Sequence, residues 1–311
     1  MLRQYQKTNP AVKPDRMSNF DAIKQAHVSI ENKANLLKLI WRKDGPVGVL
    51  SVGEGVKHVN YDPVWRAAIR SETPDVLFHK WGRFETFAHS HNRVKIDELS
   101  KNSYRFTRHT VTGGVPSAPE NLLICGLLIA LLEQIGCQKL LCHMNHVDGS
   151  SFCLRQNGNF INPPDIALLD TTNWTIKWDE CVSKVGSEGF KPEDCMGELL
   201  QSTTLMTDPT LKQAMELLMC DVSRIWQVEE LAHETGLSKR SLQRKLNEAH
   251  FSFSHLIRLV RIDEACRLLE KSDISITVVG FCSGFSDSAH FSRDFRASMG
   301  MTPSDYRDVS C

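Results

Sequence analysis

LAHETGLSKRSLQRKL, from Leu231 to Leu246, and VGFCSGFSDSAHFSRDF, from Val279 to Phe295, are two versions of one plan. In the first, Leu231 and Ala232 give a short helix its apolar face. Gly236 then supplies a tight turn, and Leu237 plugs the angle between that helix and the next. Ser238 is placed to cap the second helix. Leu242 and Leu246, four residues apart, face the core, so Lys239, Arg240, Gln243 and Arg244 project outward. In the second version Gly284 and Phe285 match Gly236 and Leu237, while Phe291 and Phe295 match Leu242 and Leu246 with one extra residue after the glycine. Either Ser286 or Asp287 can take the free amides at the helix start, leaving Ser288, Ala289, Ser292 and Arg293 exposed. A repeat of this kind is far more specific than one such hairpin.

Between the copies, Ser254 to Glu270 carries apolar residues at Leu256, Ile257, Val260, Ala265, Leu268 and Leu269, close to a helical period. Such a helix spans about 25 Å. The two outward faces that it separates can therefore lie about 34 Å apart, one turn of B-DNA. Two successive major grooves become accessible to one chain, which can bind an asymmetric site as a monomer.

The stretch from about Asp208 to Arg307 resembles the DNA-binding domain of the AraC/XylS family of bacterial transcription regulators. The resemblance rests on GLSKRSLQRKL, on RIDEACRLL with Arg261, Ala265, Leu268 and Leu269, on SITVVGFCSGFSDSAHFSRDFR, and on the closing GMTPSDYR. It implies a seven-helix module in which Arg240, Gln243 and Arg244 on the first recognition helix, and Ser288, Ala289, Ser292 and Arg293 on the second, occupy the base-facing positions, with the outward Lys239 joining the first set as a DNA-binding candidate. Arg244 offers a bidentate fork for guanine and Gln243 an amide pair for adenine, each worth about 1–3 kcal/mol of discrimination. Arg293 can do the same, or contact phosphate, or pair with a neighbouring acid. Ser288, Ala289 and Ser292 are small and suit apolar or water-mediated contact. Two residues depart from the family pattern. His250 stands where a left-handed glycine usually ends the first recognition helix, and Gly280 replaces an alanine at a helical cost of about 1 kcal/mol.

At 311 residues the chain is long enough for two domains with a core in each. Its 37 basic and 37 acidic residues cancel, which disfavours a nonspecific polyanion binder. The basic residues are local, in KRSLQRK and around Arg258 and Arg261. Ten scattered cysteines, without a Cys-x-x-Cys pair or a secretory leader, argue against a disulfide framework and for a reducing cytoplasm.

Upstream, residues 1–19 read as a flexible tail. Phe20 to Trp41 and Val64 to Phe87 read as mainly helical, and His91–Leu99 with Ser103–Val111 as a hairpin. KLLCHMNH, SSFCLR and NWTIKWD are further strands. LLICGLLIALL, Leu122 to Leu132, is about eleven apolar residues, too short to cross a bilayer, and reads as a helix begun by Pro119 and Glu120 and ended by Gly136. Being apolar all round, it must be covered by a sheet and by a further element or a second subunit. His89, His91, Cys142, His143 and His146 invite a metal reading, but strand alternation divides the last three between two faces. No metal, cofactor or catalytic residue is assigned. Trp65, Trp81, Phe84, Phe87, Trp174 and Trp178 could wall an effector pocket anchored by Arg93, Arg105 or Arg108, or simply form core.

The expected architecture is an α+β N-terminal domain joined to an all-α C-terminal domain with two tandem helix-turn-helix motifs. Its divisions are a flexible tail (1–19), a regulatory or dimerisation domain (20–182), a linker (183–207) and the DNA-binding domain (208–311). The expected protein is a non-enzymatic, cytoplasmic, sequence-specific transcription activator without a membrane partner. Double-stranded DNA is its main partner, with RNA polymerase, a small-molecule effector and a second copy of the chain as further candidates. A ligand-independent dimeric scaffold is the alternative. A DNA alkyl-repair protein with a regulatory DNA-binding module is a weaker one, because the sequence contains no Pro-Cys-His-Cys segment for its zinc and nucleophile.

Overall fold

The computed structural model describes residues 30–58, 63–87, 91–184, 200, 204–271 and 273–310. The tail, residues 20–29, His89 and most of the expected linker lie outside them. Contacts divide the chain into two units. One comprises residues up to Phe78 with Ser90–Lys184, and the other His79–His89 with Val185–Cys311.

In the first unit helix α1 (Ile30–Glu54) runs well past Trp41, as two helical pieces that meet at Gly45 (φ 64°), where Pro46 restarts the helix. Two shorter helices follow, α2 (Pro63–Ile69) and α3 (Pro74–Phe87), of which only Pro74–Phe78 counts with this unit. The expected hairpin is β1 (Asn92–Ser100) with β2 (Ser103–Thr110). The apolar run sits inside an 18-residue helix, α4 (Ala118–Ile135). Ser117 donates its backbone N–H and its hydroxyl to Glu120 at one end, and left-handed Gly136 closes the other. The remaining strands are β3 (Leu141–His146), β4 (Ser151–Gln156), the two-residue β5 (Asn159–Phe160) and β6 (Leu169–Lys177).

The sheet is antiparallel throughout, in the order β1-β2-β6-β3-β4-β5. Alternation gives it one apolar face, with Tyr104, Phe106, Trp174, Ile176, Cys142 and Met144 buried. Phe106 stacks on Trp174 and Tyr104 on Trp178.

Helix α4 is long and apolar enough to cross a membrane by length and composition, but 61% of it is buried inside the protein. It packs against β6 and α1. The helix α1, rather than a second subunit, thus covers the face that the sequence left open. The two helices meet backbone to backbone: a Cβ on Gly126 would lie 2.1 Å from the Leu50 carbonyl oxygen, and one on Gly53 2.3 Å from the Leu127 nitrogen. Beside this crossing, buried Arg155 donates to Glu133 (Nη2, 2.5 Å) and Glu54 (3.2 Å) and lies over the Phe160 ring. Lys57 joins the same two carboxylates.

In the second unit, among the described residues, seven helices follow Asp208: α5 (Pro209–Cys220), α6 (Val228–Glu234), α7 (Lys239–Glu248), α8 (Phe253–Lys271), α9 (Ile276–Cys282), α10 (Ser288–Met299) and α11 (Pro303–Ser310). Asp208 caps α5, accepting from the amides of Thr210 (2.8 Å) and Leu211 (3.2 Å), and also accepts from Lys245 Nζ (2.6 Å). Lys245 and the two amides hold its carboxyl below the usual carboxylate range. Leu211, Met215 and Leu218 share a core with Leu231, Leu242, Leu246, Leu256 and Val260.

His250 does take the left-handed conformation, with φ 64°. Gly280 has a different meaning from the one its helical propensity suggests. A Cβ there would come within 2.8 Å of the Phe291 ring, which is fully buried. The glycine makes room for the aromatic plug of the next helix.

Three outcomes follow for urea unfolding. Gly126→Ala destabilises the first unit by about 3 kcal/mol, because backbone faces the new methyl and cannot rotate away. Gly280→Ala lowers the stability of the second unit by about 1–3 kcal/mol, opposite in sign to helix propensity. Asp208→Ala costs about 1 kcal/mol at neutral pH. Because the folded carboxyl titrates below its unfolded value, that deficit is complete above about pH 5 and shrinks as pH falls through 4 and below.

Candidate nucleic-acid interface

Helices α6 and α7 meet at a turn whose backbone is fixed by three amides. Thr235 N–H donates to Leu231 O (3.1 Å), Gly236 N–H to His233 O (3.0 Å) and Leu237 N–H to Ala232 O (2.8 Å). Gly236 has φ 69°, which any side chain would resist. Helices α9 and α10 repeat the pattern. Ser283 N–H donates to Val279 O (2.9 Å), Gly284 N–H to Phe281 O (3.0 Å) and Phe285 N–H to Gly280 O (3.1 Å), with Gly284 at φ 85°. The inserted residue then shifts the cap. Ser238 Oγ accepts from Ser241 N–H (3.1 Å) at the start of α7. At the start of α10 it is Asp287, not Ser286, that accepts from His290 N–H (2.7 Å). That bond, with one from Ser286, lowers the carboxyl's pKa.

Leu242, Leu246, Phe285, Phe291 and Phe295 are buried as the spacing requires, and the plug Leu237 is half-buried. On α7 the side chains of Lys239, Arg240, Gln243 and Arg244 are all exposed. Lys239 reaches back to Glu229 at 2.5 Å. Arg244 lies 3.6 Å from Glu248, and both are about three-quarters to two-thirds exposed (74% and 67%). Ion pairs this exposed are worth little and release the guanidinium readily. The side chains of Arg240 and Gln243 make no hydrogen bond or ion pair among the described residues. On α10 Ala289, Ser292 and Arg293 are exposed and Ser288 is half-buried. Arg293 has no acidic partner among the described residues.

His290 on the same helix was not marked by any sequence pattern. Its Nε2 lies 3.2 Å from Asp294 and its Nδ1 3.1 Å from Ser286 Oγ. Asp294 also faces Arg258 of α8 at 3.6 Å. Arg261, one of the local basic residues, points inward. Its guanidinium lies over Phe285 at 6.0 Å, and its Nε would be 3.0 Å from a Cβ on Gly284. It supports the turn rather than adding to an outer charge.

The second unit also contains a segment far upstream in sequence, the C-terminal part of α3 from His79. Lys80 Nζ lies 2.7 Å from Asp221, with side chains only 2% and 6% exposed. A buried pair of this kind contributes little net energy but tolerates the loss of neither partner. Arg83 donates to the carbonyl oxygens of Ser223, Phe281 and Phe285, the last at 2.7 Å. Phe281 and Phe285 flank the turn between α9 and α10. Burial, with Arg261 nearby, brings the Arg83 guanidinium down to about 10, so it stays charged at neutral pH. Phe84 and Phe87 close on the Phe281 ring at 5.5 and 6.0 Å.

Five of the six aromatic residues considered for an effector pocket are engaged in packing, and Trp65 is half-buried. Trp81, Phe84 and Phe87 belong to the second unit, whereas Trp174 and Trp178 are buried in the sheet core of the first. Arg108 is itself buried, with its Nε 3.4 Å from Asn121. Of the residues in the metal reading, Cys142 is buried with its sulfur 3.7 Å from Cys125, and His146 meets the edge of Phe152. Among the described residues no three His, Cys, Asp or Glu side chains come together.

The helix-turn-helix domain family matches residues 231–308 of this chain. The chain is 32% identical over 138 residues to the HTH-type transcriptional activator RhaR of Yersinia pestis bv. Antiqua, covering 44% of this chain and 47% of that protein. It is 27% identical over 92 residues to the HTH-type transcriptional activator FapR of Escherichia coli, covering 30% and 35%. The chain thus spans about a third to a half of the length of these relatives. A solved structure, the DNA-binding domain of AdpA, the global transcriptional factor, in complex with a target DNA, is 26% identical over 33% of this chain and 92% of that one, with a TM-score of 0.30. Residues 231–308 are a helix-turn-helix domain of the AraC/XylS type.

Proposed function

We propose that this protein is a sequence-specific DNA-binding transcription activator whose two helix pairs are tandem helix-turn-helix reading heads. The observation that carries this reading is the bond-for-bond correspondence of the two turns, each followed by a helix with a largely exposed outward face. The 19-residue helix α8 between the pairs is about 28 Å long at the usual rise. That length suits two recognition helices set one turn of duplex apart. Double-stranded DNA is accordingly the main partner, as it is for the AdpA domain, which was solved with a target DNA.

On α7, Arg244 and Gln243 are the base readers, Arg240 adds a second guanidinium, and Lys239 lies at the helix start where phosphate approaches. On α10, Arg293 supplies the strong contact and Ser288, Ala289 and Ser292 the close-packed ones. The second half-site is read less stringently, because three of its four readers are small.

Residues 208–311 serve as the DNA-binding domain, 183–207 as the linker and 20–182 as the regulatory or dimerisation domain. An effector or a second copy of the chain acts on DNA affinity only through unequal affinity for the two arrangements of the protein. RNA polymerase is the partner through which an activator would work.

The full-length protein is expected to protect a site of roughly 20 base pairs from nuclease. In competition assays Arg244→Ala weakens binding to the preferred site and flattens preference at one base pair, by about 1–3 kcal/mol. Unchanged affinity and unchanged base preference would remove Arg244 from the interface. A nuclease pattern without any preferred sequence would end the proposal as a whole.

A further inference from the structure

Eight of the described cysteines are free thiols, and two of them face each other across a backbone pair. Cys137 follows the left-handed cap of α4, and Cys181 follows β6 near the end of the first unit. They form an isolated antiparallel bridge. Val182 N–H donates to Gly136 O (3.1 Å) and Gln138 N–H to Glu180 O (2.9 Å). These bonds lie on either side of the pair, so the cysteines occupy a non-hydrogen-bonded position. There Cα atoms approach to about 4.5 Å and side chains converge. That spacing falls within the range a disulfide spans, about 4.4–6.8 Å. The two sulfurs are already 3.1 Å apart.

The bridge is held from both sides. A Cβ on Gly136 would lie 1.8 Å from Val182 O, so the two strands of backbone touch, and Lys184 Nζ donates to Glu133 O (3.0 Å). We propose that Cys137 and Cys181 form a thiol-oxidation site that hydrogen peroxide converts reversibly to an intramolecular disulfide. This proposal stands independently of DNA binding.

Access decides the order of events. Cys181 is half-exposed and Cys137 is buried. Burial, together with the hydrogen bond to Cys181, pushes the Cys137 thiol well up and keeps it protonated, which makes it the resolving partner. The Cys181 sulfur attacks peroxide, breaking the O–O bond to give a sulfenic acid and one water. The Cys137 sulfur, giving up its proton, then attacks the sulfenic sulfur and expels its hydroxyl as a second water. Two thiols and one peroxide thus give one disulfide and two waters. A reducing thiol such as glutathione returns both cysteines by exchange, so in a reducing compartment the bond is transient.

Cys125 and Cys142, with sulfurs 3.7 Å apart and both fully buried, provide an internal comparison, since peroxide cannot reach them. The test is peptide mapping of the full-length protein after brief exposure to hydrogen peroxide, with free thiols alkylated before a non-reducing digest. The expected result is a Cys137–Cys181 cross-linked peptide, absent after dithiothreitol, with Cys125 and Cys142 alkylated on denaturation. In Cys137→Ser, Cys181 should instead be trapped as a sulfenic acid by dimedone. Wild-type protein in which Cys181 stays a thiol, goes on to sulfinic acid without cross-linking, or pairs with another cysteine would overturn the proposal, whether or not the variant folds.

Discussion

The arrangement of the second unit depends on the angle at which each short helix hands over to the longer one after it. That angle is set by a glycine in the left-handed region, an amide bonded back five residues, and one apolar plug, Leu237 in the first pair and Phe285 in the second. Once the plug is packed, helical period leaves no freedom. Leu242 and Leu246, or Phe291 and Phe295, must point to the core, and the residues between them must point away. The outward face is thus a by-product of how the turn is packed. The second turn also needs Gly280 for the Phe291 ring and Arg261 beside Gly284. A residue that looks like a weakness of α9 is in fact a condition of its fit.

Buried charge supplies what apolar packing leaves undetermined. In the second unit the Lys80–Asp221 pair and the fork of Arg83 bring together residues about 140 and 200 positions apart. Arg83 donates to Phe285 O just past the end of α9 and to Phe281 O, which also accepts from Gly284 N–H. In the first unit Arg155 plays a comparable part, gathering Glu54 and Glu133 from two helices onto a strand. These groups fix orientation more than they add stability, since Lys80, Asp221 and Arg155 have given up their hydration to enter the protein.

Much of this was legible in the chain itself. The turn glycines, plugs, caps and outward residues of both helix pairs follow from spacing, because a helical hairpin is a local structure whose rules act within about twenty residues. The strands and the limits of the apolar helix were readable for the same reason: Pro119, Glu120 and Gly136 mark its ends by backbone chemistry alone. The choice between Ser286 and Asp287 as cap was left open by the sequence. It was settled by Asp287, which takes an extended backbone and accepts from His290 N–H.

What covers the apolar helix, which basic residues turn inward, and which cysteines meet were decided only by the tertiary structure. Gly53 and Gly126 look like ordinary helix-weakening glycines until two backbones are seen to cross on them. Arg261 and Arg258 are three residues apart and equally basic, yet one supports a buried turn while the other stays at the surface. Cys137 and Cys181 are ordinary members of a scattered set until a backbone bridge sets them opposite each other. The sequence determined the local geometry because period and capping are properties of neighbouring residues. The fold decided the rest because burial and charge pairing depend on distances between residues that the chain separates by tens to hundreds of positions.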